Sequence, residues 1–522
     1  MKSRIKNFND LLDTLLGSLP FTIIPVILYF LILGGILSYQ NLLDSAFFTT
    51  FSLFCLILIP NNFLIESLST DKKTKTISLF ISVILALTIG IISNFGNEIF
   101  LSKLTHISIG YALTLFFISV YLNYQKDESE FGNYILKTLS SYLKITINYV
   151  ALAFGGLFIT LAFNYLLLSD INYYSVLSLQ IIIFGCYYLP SLIYRLYKPE
   201  KEAEAFFKNL ISYILIPLVT IAFVIIYLYI IKLIITFTLP ANQVFYIVSF
   251  LFLIAMPIWT MSKKMKLNKT ETKLTKLFPV LFIPLIFIQI YCLSIRIVSY
   301  GLTTTRYLCA VFVIIEVIYY LIYFTKPKKC GQIILYMAGI SFIAYSIPYI
   351  NMYDLSNQSQ YNRLKEYSEI ENPTDKELKQ LTSSYYYLYY NNEGATYLNK
   401  LNISKSYIDS ISKDYYNHYY YADNLNPSFE VEGYKNGTIV NGYIENGNLT
   451  ISQNYDTILT TTSNEFENYL NNRENLDNYL EDNFEVKLDD DTKLIITEIS
   501  FDYNEDSVNA DYYNFQGILL TK

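Results

Sequence analysis

Apolar residues gather into long runs through the first two-thirds of the chain, each about 18–25 residues, the length a helix needs to cross a bilayer. Eleven such runs stand at about 21–39, 46–66, 76–94, 106–123, 149–168, 173–194, 209–237, 243–261, 276–296, 306–325 and 332–350. The seventh is long enough to tilt or to extend past the hydrocarbon. Ahead of them, Lys2, Arg4 and Lys6 precede Leu11, Leu12, Leu15 and Leu16 at helical spacing. Residues 1–18 therefore read as a cytoplasmic interfacial helix. No small-residue cleavage site follows, so the first run is an anchor. Between the fourth and fifth runs, Phe131, Tyr134, Ile135, Leu139, Tyr142 and Leu143 share one helical face, a pattern that predicts an amphipathic helix lying on the membrane.

After Tyr349 the pattern turns polar. Asp354 or Ser356 is expected to cap a helix running to Glu371, which Asn372-Pro373 ends. Thr374 and Glu377 form a capping-box pattern that opens a second helix to about Tyr390, and shorter helical pieces are expected near 395–401 and 406–412. From Phe429 the period becomes two. Asn436-Gly437 and Asn446-Gly447 have the composition of hairpin turns, with Asn441-Gly442 a bulge or a competing turn. An amphipathic helix at 464–481 and strands at 484–488, 492–502 and 511–520 complete the pattern. The fold class is a polytopic α-helical membrane protein of about eleven transmembrane helices with a C-terminal α+β soluble domain. Its expected divisions are the helix at 1–18, a bundle at 19–350, a helical segment at 351–425 and a small mixed domain at 426–522.

Charge adds an orientation. Every second connection is rich in lysine and arginine: with the N-terminal cluster, roughly 22 basic residues stand on one side against Lys103, Arg296 and Arg306 on the other. The basic side is cytoplasmic, which places the N-terminus inside and the C-terminal domain outside. That domain is acidic, net negative by roughly 17 over residues 351–522, so nucleic acid is not an expected partner. The partner the sequence does imply is the lipid bilayer itself. Protein partners stay unidentified. Heavy use of Ile, Asn, Lys and Tyr suggests an AT-rich, bacterial source.

Recognisable chemistry is sparse. All five cysteines lie in or beside apolar runs, and His106 and His418 are far apart, so neither a disulfide framework nor a Cys/His zinc site is expected. Phosphate-loop, dinucleotide, nucleophile-elbow and zinc-protease motifs are missing. No catalytic residue and no cofactor is assigned, and the reading leans away from an enzyme. Asp489-Asp490-Asp491 reads as a turn, and the formal sequons at Asn402, Asn436 and Asn448 as chance. Within the apolar runs, Glu316, Lys232, Gln180 and Gln289 are the candidate intramembrane polar residues, with Asn61, Asn62 and Glu66 near one end of the second run. A polar pathway and plain interhelical hydrogen bonding are both open to them.

The connection after the ninth run stands out, because Arg296, Tyr300, Gly301, Thr303 and Arg306 lie together on the side poor in basic residues. Gly301 suits a turn needing positive φ, and one of the threonines at 303–305 is expected to cap the next helix. Arg306 in a first helical turn opposes the helix dipole and calls for an anionic partner. An envelope ligand, a lipid headgroup or the acidic domain would serve. The pattern Arg296-x-x-x-Tyr-Gly-Leu-Thr-x-x-Arg306-Tyr, with Tyr353-Asp-Leu-Ser-x-x-Ser-Gln360-x-x-Arg363-Leu, resembles a bacterial family of multi-pass inner-membrane proteins catalogued only as a domain of unknown function. The resemblance implies an inner-membrane bundle with an outer C-terminal domain and carries no activity with it. The two segments are expected to face each other at the membrane surface, making Arg363 a further headgroup contact. Three functions stay open: a transport or envelope role without enzymatic activity, an enzyme acting on a lipid-linked substrate, and a signalling or scaffold protein.

Overall fold

The computed structural model describes residues 13–37, 46–68, 71–163, 173–236, 242–370, 373–391, 393–401, 403, 405, 408, 418–422, 436–445, 448–453, 456–462, 484–488, 491–503 and 512–522. The chain forms two compact units, one of Met1–Arg363 with Tyr386–Lys400 and one of Leu364–Tyr385 with Leu401–Lys522.

Ten helices among the described residues are long and apolar enough to span a bilayer. They are α1 (Pro20–Leu37), α2 (Ala46–Ser67), α3 (Lys72–Phe95), α4 (Glu98–Lys126), α5 (Phe131–Leu161), α6 (Tyr174–Tyr197), α7 (Ala205–Leu233), α8 (Val244–Ser262), α9 (Lys269–Tyr300) and α10 (Thr304–Thr325). Their outward faces carry large exposed apolar side chains, such as Phe80 on α3, Phe158 on α5 and Leu228 on α7. Water would not tolerate so continuous an apolar surface. This is a multi-pass membrane protein.

The eleventh expected run is built differently. A 3-10 turn (Pro327–Gln332) leads into α11 (Ile333–Ser346), only 14 residues long. It nevertheless runs antiparallel along α4: Gly331 lies against Tyr124, Thr114 Oγ1 donates to the Ala338 carbonyl, and Ser346 Oγ donates to the Ile107 carbonyl. Tyr124 to Ile107 is about 25 Å of helix, so the turn and α11 together traverse most of the thickness that α4 does. The 3-10 rise of about 2 Å per residue makes up for the short α-helix. Where the two approach, a Cβ on Gly110 would lie 2.2 Å from Ser346 Oγ, which is why a small residue stands there.

The amphipathic helix expected at 127–148 is not a separate element. No breaker separates it from the next run, so both join in one 33-residue helix, Phe131–Phe163. Phe131 and Tyr134 are buried in the main core and Ile135, Leu139 and Leu143 pack on it, so that face meets protein and not the membrane surface. That core is largely aromatic. Phe252 and Trp259 of α8, Phe282 of α9, and Tyr319 and Tyr320 of α10 lie with ring centroids 5.3–6.5 Å apart, in the edge-on, tilted and stacked arrangements ring quadrupoles favour. Prolines inside α2, α8 and α9 are tolerated because neighbouring helices surround them.

Beyond the bundle, α12 (Met352–Ser368) begins two residues before the first expected cap. Asn351 is the cap: its Oδ1 accepts from the amides of Tyr353 and Asp354, while Asp354 Oδ2 accepts from Tyr349 N and Asn351 Nδ2. Asp354 therefore answers the cap and does not act as one. At α13 (Asp375–Tyr389) one arm of the expected capping box forms: Glu377 accepts from the Thr374 amide, but the Thr374 hydroxyl donates to the same carboxylate and the Glu377 amide bonds the Thr374 carbonyl. A short α14 (Ala395–Leu398) follows.

The C-terminal sheet is antiparallel, with β1 (His418–Ala422), β2 (Asn436–Glu445), β3 (Asn448–Gln453), β4 (Asp456–Thr462), β5 (Phe484–Lys487), β6 (Thr492–Tyr503) and β7 (Tyr512–Thr521). The strand order is β1-β6-β7-β2-β3-β4, with β5 also paired to β6. Residues 436–437 and 441–442 were expected to turn or bulge, but both lie inside β2. Pairing with β7 holds all ten residues of the strand in register, and β3 pairs its far half. Strand pairing, on one side at 436–437 and on both sides at 441–442, outweighs a local turn preference. The bracketing pair Glu445↔Asn448 leaves two residues for the β2–β3 connection, as a short hairpin requires. Residues 1–12, the 464–481 helix and Asp489-Asp490 lie outside the described residues.

Candidate functional site

A helix leaves its last carbonyls without intrahelical partners, and α9 ends at Tyr300 in the middle of the motif the sequence singled out. Gly301 follows with φ +71° and ψ 174°, a backbone region open almost only to glycine. The chain then reverses into α10, where Thr303 Oγ1 accepts from the Arg306 amide at 3.4 Å and caps the helix.

The exposed end of α9 is closed by side chains from two directions. Arg306 donates Nη1 to the carbonyls of Tyr300 (3.0 Å) and Gly301 (2.7 Å), with its guanidinium 5.5 Å from the Tyr300 ring. From α12, Arg363 donates to the carbonyls of Val298 (3.2 Å) and Ser299 (2.8 Å). Buried Gln360 donates to the carbonyls of Tyr300 (3.1 Å) and Leu302 (2.9 Å), and Ser359 Oγ accepts from the Leu302 amide. Tyr387 OH accepts from the Thr304 amide, and Tyr307 OH donates to the Ile350 carbonyl. The two segments meet. Arg306, unfavourably placed for its own helix dipole, lies at the negative end of its neighbour's.

Arg296 differs from the other two arginines. It is half-buried one turn before the end of α9 and has no hydrogen-bonded or carboxylate partner among the described residues. It lies within electrostatic reach of Arg306, as does Arg363. Three guanidinium groups thus gather at one helix end, two of them held on backbone carbonyls.

A second node forms beside α12. His106 Nδ1 is 3.2 Å from Glu393 Oε1, Ser102 Oγ is 3.2 Å from the same oxygen and 3.4 Å from His106 Nε2, and the Tyr353 ring stacks on the imidazole. Burial pushes the Tyr353 hydroxyl up to about 12. The arrangement resembles a serine–histidine–carboxylate relay. The serine, however, has one proton, and the carboxylate accepts it as readily as the imidazole does, so the node ties α4 to the 386–400 segment without activating a nucleophile. Local patterns gave no sign of it, because Ser102 and Glu393 are 291 residues apart.

The intramembrane candidates separate. Gln180 donates to the Ala153 carbonyl and joins α6 to α5. Lys232 is exposed on α7 and stands apart from the buried polar groups. Glu316 and Gln289 lie together, both fully buried: Gln289 Nε2 donates to Ser249 Oγ at 2.9 Å and approaches Glu316 Oε1 at 3.5 Å, while Glu316 Oε2 and the Tyr320 hydroxyl have no hydrogen-bond partner among the described residues. Near one end of α2, Glu66 accepts from the amides of Phe21 and Thr22 and from the Thr22 hydroxyl, so it caps the start of α1. Asn62 continues that network to the Phe21 carbonyl and to Ser82, and Asn61 accepts from Tyr111 OH. No group of three or more metal-ligating side chains occurs among the described residues.

Residues 15–380 match a family described as a domain of unknown function (DUF4153), a range that takes in the bundle, the arginine turn and α12. No curated protein and no solved structure matches the chain.

Proposed function

The chain belongs to the DUF4153 family, and from that premise we propose a transport or cell-envelope role in which the turn between α9 and α10 holds an anionic headgroup at the membrane surface. The observation that supports it is Arg296, without a hydrogen-bonded or carboxylate partner among the described residues and set beside two arginines already anchored on backbone carbonyls. Anchored guanidinium groups supply fixed positive potential, and the free one supplies a fork for phosphate or carboxylate. In this reading the membrane is the bacterial inner membrane, the N-terminus is cytoplasmic and the C-terminal domain extracytoplasmic, as the excess of lysine and arginine on one side suggests.

The test compares Arg296→Gln with the native protein in vesicles of phosphatidylcholine, with and without phosphatidylglycerol. A native preference for the anionic lipid that Arg296→Gln lowers supports the reading. Equal preference in both proteins removes it. A periplasm-active reporter joined after Lys522 tests the orientation separately, and silence there with an active cytoplasmic reporter overturns it.

A second reading has its own observation. Glu316 is fully buried among spanning helices, with a carboxyl oxygen that bonds nothing in the described structure and no cation within ion-pair distance. Ionisable groups at that depth cost about 2.5–3.5 kcal/mol on insertion scales and commonly mark proton or ion paths. Loss of proton-linked flux in Glu316→Gln vesicles, with Arg296→Gln unaffected, favours this path over the headgroup site.

A further inference from the structure

A groove of about 270 Å³ opens between α1, α2, α4 and α6, bordered by Cys55, Ile59, Phe63, Ala112, Phe116 and Ile193, and its lining is apolar. Cys55, Ile59, Ala112 and Phe116 stand well inside spanning helices, at hydrocarbon depth, while Phe63 and Ile193 lie one turn from the ends of α2 and α6, so the groove runs from the hydrocarbon towards one end of those helices. Apolar space of this size is unfavourable without an occupant. A dry apolar cavity of roughly 150 Å³ already takes in benzene, so this one has room for about ten carbons of a chain. Hydrocarbon is also the species that surrounds it.

The ends of the groove are not alike. Thr22 sits at one end, its hydroxyl committed to Glu66. One helical turn past Phe63, the Ser67 carbonyl accepts from Lys126 Nζ at 2.5 Å, and Lys75 lies within electrostatic reach of both Glu66 and Lys126. Neither lysine is ion-paired among the described residues. Two lysines beyond the mouth of an apolar channel are complementary to a phosphate attached to a chain.

We propose that this groove holds one acyl chain of an anionic phospholipid taken from the surrounding leaflet, with its phosphate between Lys75 and Lys126. The site lies on helices other than those of the arginine turn, so it stands or falls apart from the headgroup reading given for Arg296. It assigns α1, α2, α4 and α6 a lipid-holding function that the polar candidates do not require.

The experiment uses the full-length protein in nanodiscs containing phosphatidylglycerol with a diazirine near the middle of one acyl chain. After irradiation, carbene adducts are mapped by peptide mass spectrometry. Adducts are expected on peptides holding Ile59–Phe63 and Ile109–Phe116. Ala112→Trp, which fills the groove, should lower them to about a tenth, in proportion to lost occupancy. Lys75→Gln with Lys126→Gln should lower them for phosphatidylglycerol but leave the phosphatidylcholine analogue unchanged. Should Ala112→Trp fail to elute as a folded species, Ile59→Trp blocks the same space. Adducts spread evenly over lipid-facing sites such as Phe80 and Phe158, or unaltered by the blocking variant, overturn the groove. Equal capture of both headgroups by the native protein overturns the anionic assignment, as does full competition by a free isoprenoid alcohol.

Discussion

Gly301→Ala tests whether the arginine turn depends on one backbone conformation. At φ +71° and ψ 174° an alanine is strained by about 1–3 kcal/mol. Its new Cβ would also stand 2.5 Å from Arg363 Cδ and 2.8 Å from Gln360 Nε2, so the clamp from α12 has to withdraw. Withdrawal puts at risk four side-chain hydrogen bonds to carbonyls, two from Arg363 and two from Gln360. Neutral bonds contribute about 1 kcal/mol each and charged ones somewhat more, though the exposed arginine pair recovers part of this from water. The expected loss is about 3–5 kcal/mol, large against the marginal stability of a folded protein. Thermal unfolding in detergent, followed by tryptophan fluorescence and by proteolysis near residue 370, measures it. Because both changes break the same contacts, Gly301→Ala with Arg363→Ala should cost clearly less than the sum of the two single variants. A Gly301→Ala protein within about 0.5 kcal/mol of native, or strict additivity in the cycle, refutes the reasoning.

Other outcomes follow from single contacts. Arg363→Lys keeps the charge but loses the fork that reaches Val298 and Ser299 together, so it should lose about 1–2 kcal/mol in the same assay. His106→Phe preserves the ring stack on Tyr353 but leaves buried Glu393 with Ser102 as its remaining side-chain donor among the described residues; a loss of about 1–3 kcal/mol is expected, and faster proteolysis at 386–400 reports it. Glu66→Ala removes three bonds to the start of α1 and should weaken the whole bundle, whereas Glu66→Gln, which keeps an acceptor, should weaken it less. Hydrogen bonds from the Thr374 side chain and amide hold the Glu377 carboxyl below its ordinary value of 4.5. A lowered carboxyl stabilises the fold above that value, and the contribution is lost as pH falls through the folded value. Native and Glu377→Gln proteins should therefore differ at pH 7 and converge in acid; a gap that persists into strong acid contradicts the cap.

Much of this protein was legible in one dimension, because the bilayer imposes a length and a polarity that any spanning helix has to meet. Run length marked ten helices, Thr374 and Glu377 marked a helix start three residues apart, and Gly301 marked a turn. These are local constraints, and local sequence states them. Competition between distant segments decided the rest. Nothing near Asn436 or Asn441 records that β7, some eighty residues later, holds both dipeptides in an extended strand. Asp354 has the look of a cap, but Asn351 occupies that place and Asp354 answers it. The seam from Lys144 to Tyr149 carries no breaker, so local sequence already allowed one continuous helix, but that the Phe131 and Tyr134 face meets protein and not the membrane surface was decided by packing against the core. The arginines show the division most sharply. Their sequence announces charge at a membrane surface, yet which of them is available depends on whose carbonyls lie near. Arg306 and Arg363 close the end of α9, and Arg296 is left without a bonded partner among the described residues. A guanidinium bonds whatever acceptor the fold brings to it, and that is settled only when α9, α10 and α12 come together.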